Sequence, residues 1–149
     1  MNGSKMFPPA YLLIAIVVMI ILHFIFPLTM IVFPPWKLLG IIPLVGGVIL
    51  NIVADNTFQR VNTTVKPFEE STALVTSGIY QVSRNPMYLG FVLILTGIAT
   101  LLGSLTPFGV IPVFIILMEK NFIQFEEQGL AQKFGSRWVA YRRQVRRWV

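Results

Sequence analysis

Residues 85–118 read NPMYLGFVLILTGIATLLGSLTPFGVIPVFIILM, an uncharged stretch bounded by Arg84 and Glu119. As a single helix it would be roughly 50 Å long, too much for a hydrocarbon core of about 30 Å. Gly103-Ser104-Leu105-Thr106-Pro107 lies near its middle and supplies turn chemistry. The stretch therefore reads as a helical hairpin with arms over residues 87–102 and 108–125. The 34 residues between Arg84 and Glu119 carry no charge, so a bilayer is the natural solvent of the hairpin.

Working outward, residues 10–33 are almost continuously apolar and form a first span, which Pro34-Pro35 is expected to stop. The run is too long for the apolar region of a cleavable signal peptide. Residues 38–54 form a second span, in which Gly40, Gly46 and Gly47 permit close helix approach. The expected fold is all-α and integral to the membrane, with about four spans and one domain over residues 1–149. Composition agrees: 55% of the chain is hydrophobic and only 12% charged, about half the charged share of a soluble domain. With no cysteine and one histidine, His23, neither a thiolate site nor a multi-histidine metal centre can form, and no metal is expected.

Of the twelve Lys and Arg residues, only Lys37 falls on the side of the membrane opposite the termini. By the positive-inside rule both termini are cytoplasmic, in a cell (inner) membrane. The net charge of +6 is a topology and headgroup signal, and no nucleic-acid partner is implied. Leu130, Phe134, Trp138, Tyr141, Val145 and Trp148 recur at helical spacing, with arginines concentrated away from them. That pattern predicts an amphipathic helix over about residues 126–148, either lying in the membrane interface or packed on the bundle's cytoplasmic face. Gly135 marks a possible bend.

Polar groups beside embedded helices are expensive and usually serve a site. Two such regions stand out. In the first, Pro86 restricts Asn85 to extended backbone and starts a helix whose first turn exposes donors beside Arg84 and Tyr88. In the second, Glu126 and Glu127 repel each other unless a cation sits nearby. His23 reads as an interior hydrogen-bonding residue, and Asn51 and Asp55 as capping or pairing groups.

Leu74-Val-Thr-Ser-Gly-Ile-Tyr80, Arg84-Asn-Pro-Met-Tyr-Leu-Gly90 and Glu126-Glu-x-x-Leu130-x-x-x-Phe134-Gly135 followed by Tyr141 occur in order. Together they resemble the integral-membrane methyltransferases that include isoprenylcysteine carboxyl methyltransferase and the phospholipid N-methyltransferases. The resemblance covers about residue 60 onward. It implies S-adenosylmethionine as cofactor, bound on the cytoplasmic side by Thr72, Ala73, Leu74, Val75, Tyr80, Asn85, Pro86, Met87, Tyr88 and Glu126. It implies catalytic roles for Glu126, Glu127 and Arg84, and a membrane lipid or other lipophilic small molecule as methyl acceptor. The acceptor would be isoprenylcysteine carboxylate-like or phospholipid amine-like; the oligomeric state stays open. This chain has Asn85 where the family often has His, and Phe122 where isoprenylcysteine enzymes carry an arginine. A general base at Asn85 is not expected, because an amide does not titrate near neutrality. The alternative reading is a non-catalytic membrane scaffold or ligand-binding protein, which would tolerate changes at Arg84, Pro86 and Glu126.

Overall fold

The computed structural model describes residues 7–60 and 73–149. Its helices are α1 (Pro8–Ile25), α2 (Ile41–Arg60, continuing a short 3-10 turn at Trp36–Gly40), α3 (Pro86–Leu102), α4 (Leu105–Met118), α5 (Gln124–Phe134) and α6 (Ser136–Gln144). A π turn at Glu119–Ile123 joins α4 to α5 without interrupting the helix. By length and composition, Pro8–Ile25, Trp36–Arg60 and Leu105–Phe134 are each long and apolar enough to cross a membrane. The hairpin's first arm, α3, has 17 residues, about 25 Å of helix. This is an all-α integral membrane protein.

The first span is shorter than its apolar run. It ends at Ile25, where Pro27 bars Phe26 from helical backbone (φ −143°, ψ 65°). Pro34-Pro35 therefore does not stop it. Residues between the two breaks cross the hairpin turn: Ile31 and Val32 donate backbone hydrogen bonds to the Gly103 carbonyl, and Leu105 donates to Thr29. Gly103 takes φ +80°, the left-handed conformation that closes a helix C-terminus without a Cβ penalty. Lys37 completes this cap, its Nζ donating to the Leu102 carbonyl at 2.9 Å. His23 Nδ1 lies 2.7 Å from the buried Ser104 hydroxyl, an interior hydrogen bond as expected.

Helix α3 is the centre of the bundle. It packs on α2, α1 and α4, and Leu95 and Ala99 are fully buried. Its contact with α2 is made backbone to backbone. A Cβ on Gly40 would collide with the Gly97 carbonyl, and one on Gly47 with the Gly90 carbonyl. Gly46 meets nothing on that face, so only two of the three glycines work as expected. Apolar side chains such as Leu13, Ile42, Ile49 and Ile52 point outward, since lipid gives no reason to hide them.

Candidate active site

Leu105–Phe134 spans 30 residues, about 45 Å, so its far end projects beyond a core of about 30 Å. That end carries Glu126 and Glu127 in the first turn of α5. Successive helical residues point about 100° apart, so the two carboxylates face different neighbours. Across from them, Pro86 opens α3 and Tyr88 sits in its first turn.

Tyr88 is only 6% exposed, and its hydroxyl donates to Glu126 Oε1 at 2.7 Å, joining residues 38 apart in sequence. The Tyr88 ring stacks on Phe122 at 6.5 Å and meets the edge of Phe91 at 6.3 Å. Aromatic packing thus excludes water from the protein side of this hydrogen bond. Among the described residues no cation pairs with Glu126.

Glu127 is surrounded differently. Arg147 donates to both of its oxygens, Nε to Oε1 at 3.2 Å and Nη2 to Oε2 at 2.6 Å, and its Nη1 also reaches Glu119. Arg84 Nη1 approaches Glu127 Oε1 at 3.1 Å, the two side chains being 8% and 12% exposed. That approach is out of hydrogen-bonding alignment: Arg84 Nε and Nη1 are both buried without a hydrogen-bond partner. The Arg84 guanidinium lies over the Trp138 ring at 5.5 Å, a cation–π contact. Burial lowers its pKa, with Glu127 opposing, yet an arginine stays charged. Hydrogen bonding to Glu127 raises that of Arg147.

The polar segment before α3 closes the site from the side. It turns at Gly78, where φ is +61°, and a 3-10 turn at Gly78–Gln81 buries Tyr80. The Tyr80 ring meets Phe58 edge-on at 5.1 Å, and Val75 and Met87 pack in the same cluster. Burial first, then Tyr141 and Glu126, push the Tyr80 phenol well above its ordinary range. The Tyr141 hydroxyl donates to the Tyr80 carbonyl at 2.6 Å. Leu74, Thr76, Gln81, Arg137, Tyr141 and Gln144 line an open groove of about 620 Å³ between this segment and α6.

Residues 145–149 return to the same place. The Arg146 carbonyl accepts from the Arg84 amide at 3.0 Å. The Arg147 carbonyl accepts from Ser83 Oγ at 3.2 Å and Asn85 Nδ2 at 3.1 Å. The expected stripe on the last helix is spent on the protein itself: Trp138, Tyr141 and Val145 are buried against Leu74, Leu130 and Phe134. Gly135, at φ +48°, breaks that helix into α5 and α6.

Of the residues expected at a site, Arg84, Tyr88, Glu126 and Glu127 converge, with Tyr80 beside them. Pro86 is buried as the first residue of α3. The Asn85 amide is engaged by the tail. Leu74 packs with the α6 cluster and Ala73 is half-buried; Thr72 lies outside the described residues. Sequence reasoning missed Arg147 and Trp138, treating the first as a headgroup charge and the second as an interfacial anchor. The repulsion between adjacent carboxylates called for a cation and was the available signal; nothing in the sequence said which one.

A family profile described as phospholipid methyltransferase matches residues 36–137. Protein-S-isoprenylcysteine O-methyltransferase B of Arabidopsis thaliana is 36% identical over 80 residues, covering 52% of this chain and 39% of the relative. Protein-S-isoprenylcysteine O-methyltransferase of Saccharomyces cerevisiae is 34% identical over 95 residues, covering 62% of this chain and 38% of the relative. The chain thus spans about two fifths of the length of these curated relatives. No solved structure gives a significant match.

Proposed function

Since the chain belongs to the phospholipid methyltransferase family, we propose that it transfers a methyl group from S-adenosylmethionine to a lipophilic acceptor, isoprenylcysteine carboxylate-like or phospholipid amine-like. The observation that carries this reading is the junction of Tyr88 with Glu126 at 2.7 Å, beside Arg84 and Glu127. Two motif segments distant in the chain meet there, next to the polar segment.

The donor set fits the cofactor. Arg84 has two buried N–H groups without a hydrogen bond, which suit a ligand carboxylate. Glu126 bonds a neutral phenol and has no cationic partner among the described residues, which suits a cationic ligand group, and Tyr80 and Tyr88 add electron-rich ring faces. When bound, S-adenosylmethionine supplies a methyl group already activated on a sulfonium, so no enzyme nucleophile is required. The chain's part is to hold the two reactants in line and keep water away. A carboxylate acceptor needs no base, whereas an amine must lose a proton, which Glu126 is the residue to receive. The acceptor enters from the lipid side. Both termini are assigned to the cytoplasmic side of the inner membrane, supported by the concentration of Lys and Arg there.

Calorimetry with S-adenosylmethionine on the purified protein, repeated with Tyr88→Ala and Glu126→Ala, tests the pocket. Both variants are expected to lose affinity, and unchanged affinity in both removes it. Incubation with methyl-labelled cofactor and a total lipid extract then identifies the acceptor. No binding and no labelled product would favour a non-catalytic membrane protein.

A further inference from the structure

We infer that Arg147 is a positioning residue of this site: by occupying Glu127 and Glu119, it leaves Arg84 without a hydrogen-bond acceptor and Glu126 without a cation, ready for one ligand carrying both a carboxylate and a cation. The inference rests on the proposed function, with S-adenosylmethionine as that ligand.

The reasoning starts from a cost. A buried guanidinium with two unused donors is unfavourable, and the nearest remedy is for Arg84 to turn onto Glu127. Arg147 prevents this by taking both Glu127 oxygens in a fork, the geometry in which an arginine binds a carboxylate best. Arg84 is left with an off-line approach at 3.1 Å. Trp138 holds the plane of Arg84 from one side but offers its guanidinium no hydrogen-bond acceptor.

Arg147 is itself held by the residues on either side of Arg84. Ser83 and Asn85 both donate to its carbonyl, while the Arg84 amide donates to Arg146. The side chain that occupies Glu127 and the backbone that presents Arg84 are therefore one assembly. Charge bookkeeping completes the case. Arg84, Arg147, Glu119 and Glu127 carry two charges of each sign, so Glu126 is the carboxyl group of the cluster left without a cation. A zwitterionic ligand with an added positive centre matches one cationic donor without a hydrogen bond and one carboxyl group without a cation.

The experiment is S-adenosylmethionine binding and steady-state kinetics on wild type, Arg147→Ala, Arg147→Lys and the double variant Arg147→Ala/Glu127→Gln, with a melting curve for each. Arg147→Ala frees Glu127 to capture Arg84, and affinity is expected to fall at least about tenfold, the size of one charged hydrogen bond. The cofactor KM should rise more than kcat falls. Adding Glu127→Gln removes the competing charge and should restore most of the affinity, although it deletes a second group. Arg147→Lys, a point charge without the fork, should fall between. If Arg147→Ala does not fold, Arg147→Lys carries the test, with an expected loss of affinity in a folded protein. Wild-type affinity in a folded Arg147 variant overturns the inference, as does a double variant no better than Arg147→Ala. Absence of binding by wild type overturns the functional reading itself.

Discussion

The α2–α3 contact and the polar end of the α4–α5 helix are both places where distant segments meet closely, and they are held by opposite means. At the first, side chains are missing: Gly40 and Gly47 of one helix meet Gly97 and Gly90 of the other through bare backbone. At the second, charged side chains from three parts of the chain, Arg84, Glu127 and Arg147, fill the space and neutralise one another. The glycine contact gains its stability from proximity and has no room to adjust. The charged contact persists because breaking any one pair strands another ion out of water. The former holds the bundle together, and the latter leaves selected groups of the site unpaired.

The comparison can be broken most severely at the glycines. Gly47→Leu drives a side chain into the Gly90 carbonyl and is expected to destabilise by on the order of 3 kcal/mol or more. Loss of monodisperse protein in detergent and a lowered melting temperature would register it. Gly46→Ala, with open space around it, should change stability by no more than about 0.5 kcal/mol. If the two variants behave alike, the backbone contact is not what joins α2 to α3.

Glu127→Ala strands the Arg84 guanidinium and leaves Arg147 with Glu119 alone, and should cost about 2–3 kcal/mol, somewhat below the range for fully buried pairs, because the Arg147 side chain is 29% exposed. Glu126→Gln, which still accepts from Tyr88, should cost less than about 1 kcal/mol while weakening cofactor binding. Chemical unfolding of both, alongside calorimetry, checks the split between a carboxylate that holds structure and one kept for a ligand. Equal stability losses would dissolve that distinction.

A further effect, confined to alkaline pH, concerns Tyr141. Burial raises its phenol from the ordinary 10.0 to about 12, with Arg84 opposing. A raised folded pKa means that the neutral phenol contributes stability fully below pH 10 and loses it as pH climbs toward about 12. Wild type should therefore lose stability relative to Tyr141→Phe across that interval in thermal melts. A constant difference between the two would show that the phenol is not held in its neutral form.

The hairpin was readable because length alone forbids a single helix through residues 85–118, and Gly103 to Pro107 supply turn chemistry near its middle. The meeting of Tyr88 with Glu126 was readable through motifs, which report spacing. The end of α1 was misjudged because two proline breaks compete, and Pro27 acts before Pro34-Pro35. Gly46 could not be separated from Gly47 without knowing which face of α2 meets α3. Arg147 was hidden among neighbouring arginines, Arg142, Arg143 and Arg146, which composition cannot tell apart.

By itself, the chain's pattern of apolar runs, turns and charges determined an all-α membrane protein with a polar cluster at one end. Those features follow from the one-dimensional cost of moving each residue between water and lipid. Only the tertiary structure decided the partners of Glu126 and Glu127, and which arginine returns from α6 to separate their roles. That choice depends on direction and distance between side chains far apart in the chain. Coulombic attraction and hydrogen bonding fall away within a few ångströms of misplacement, and no linear pattern records it.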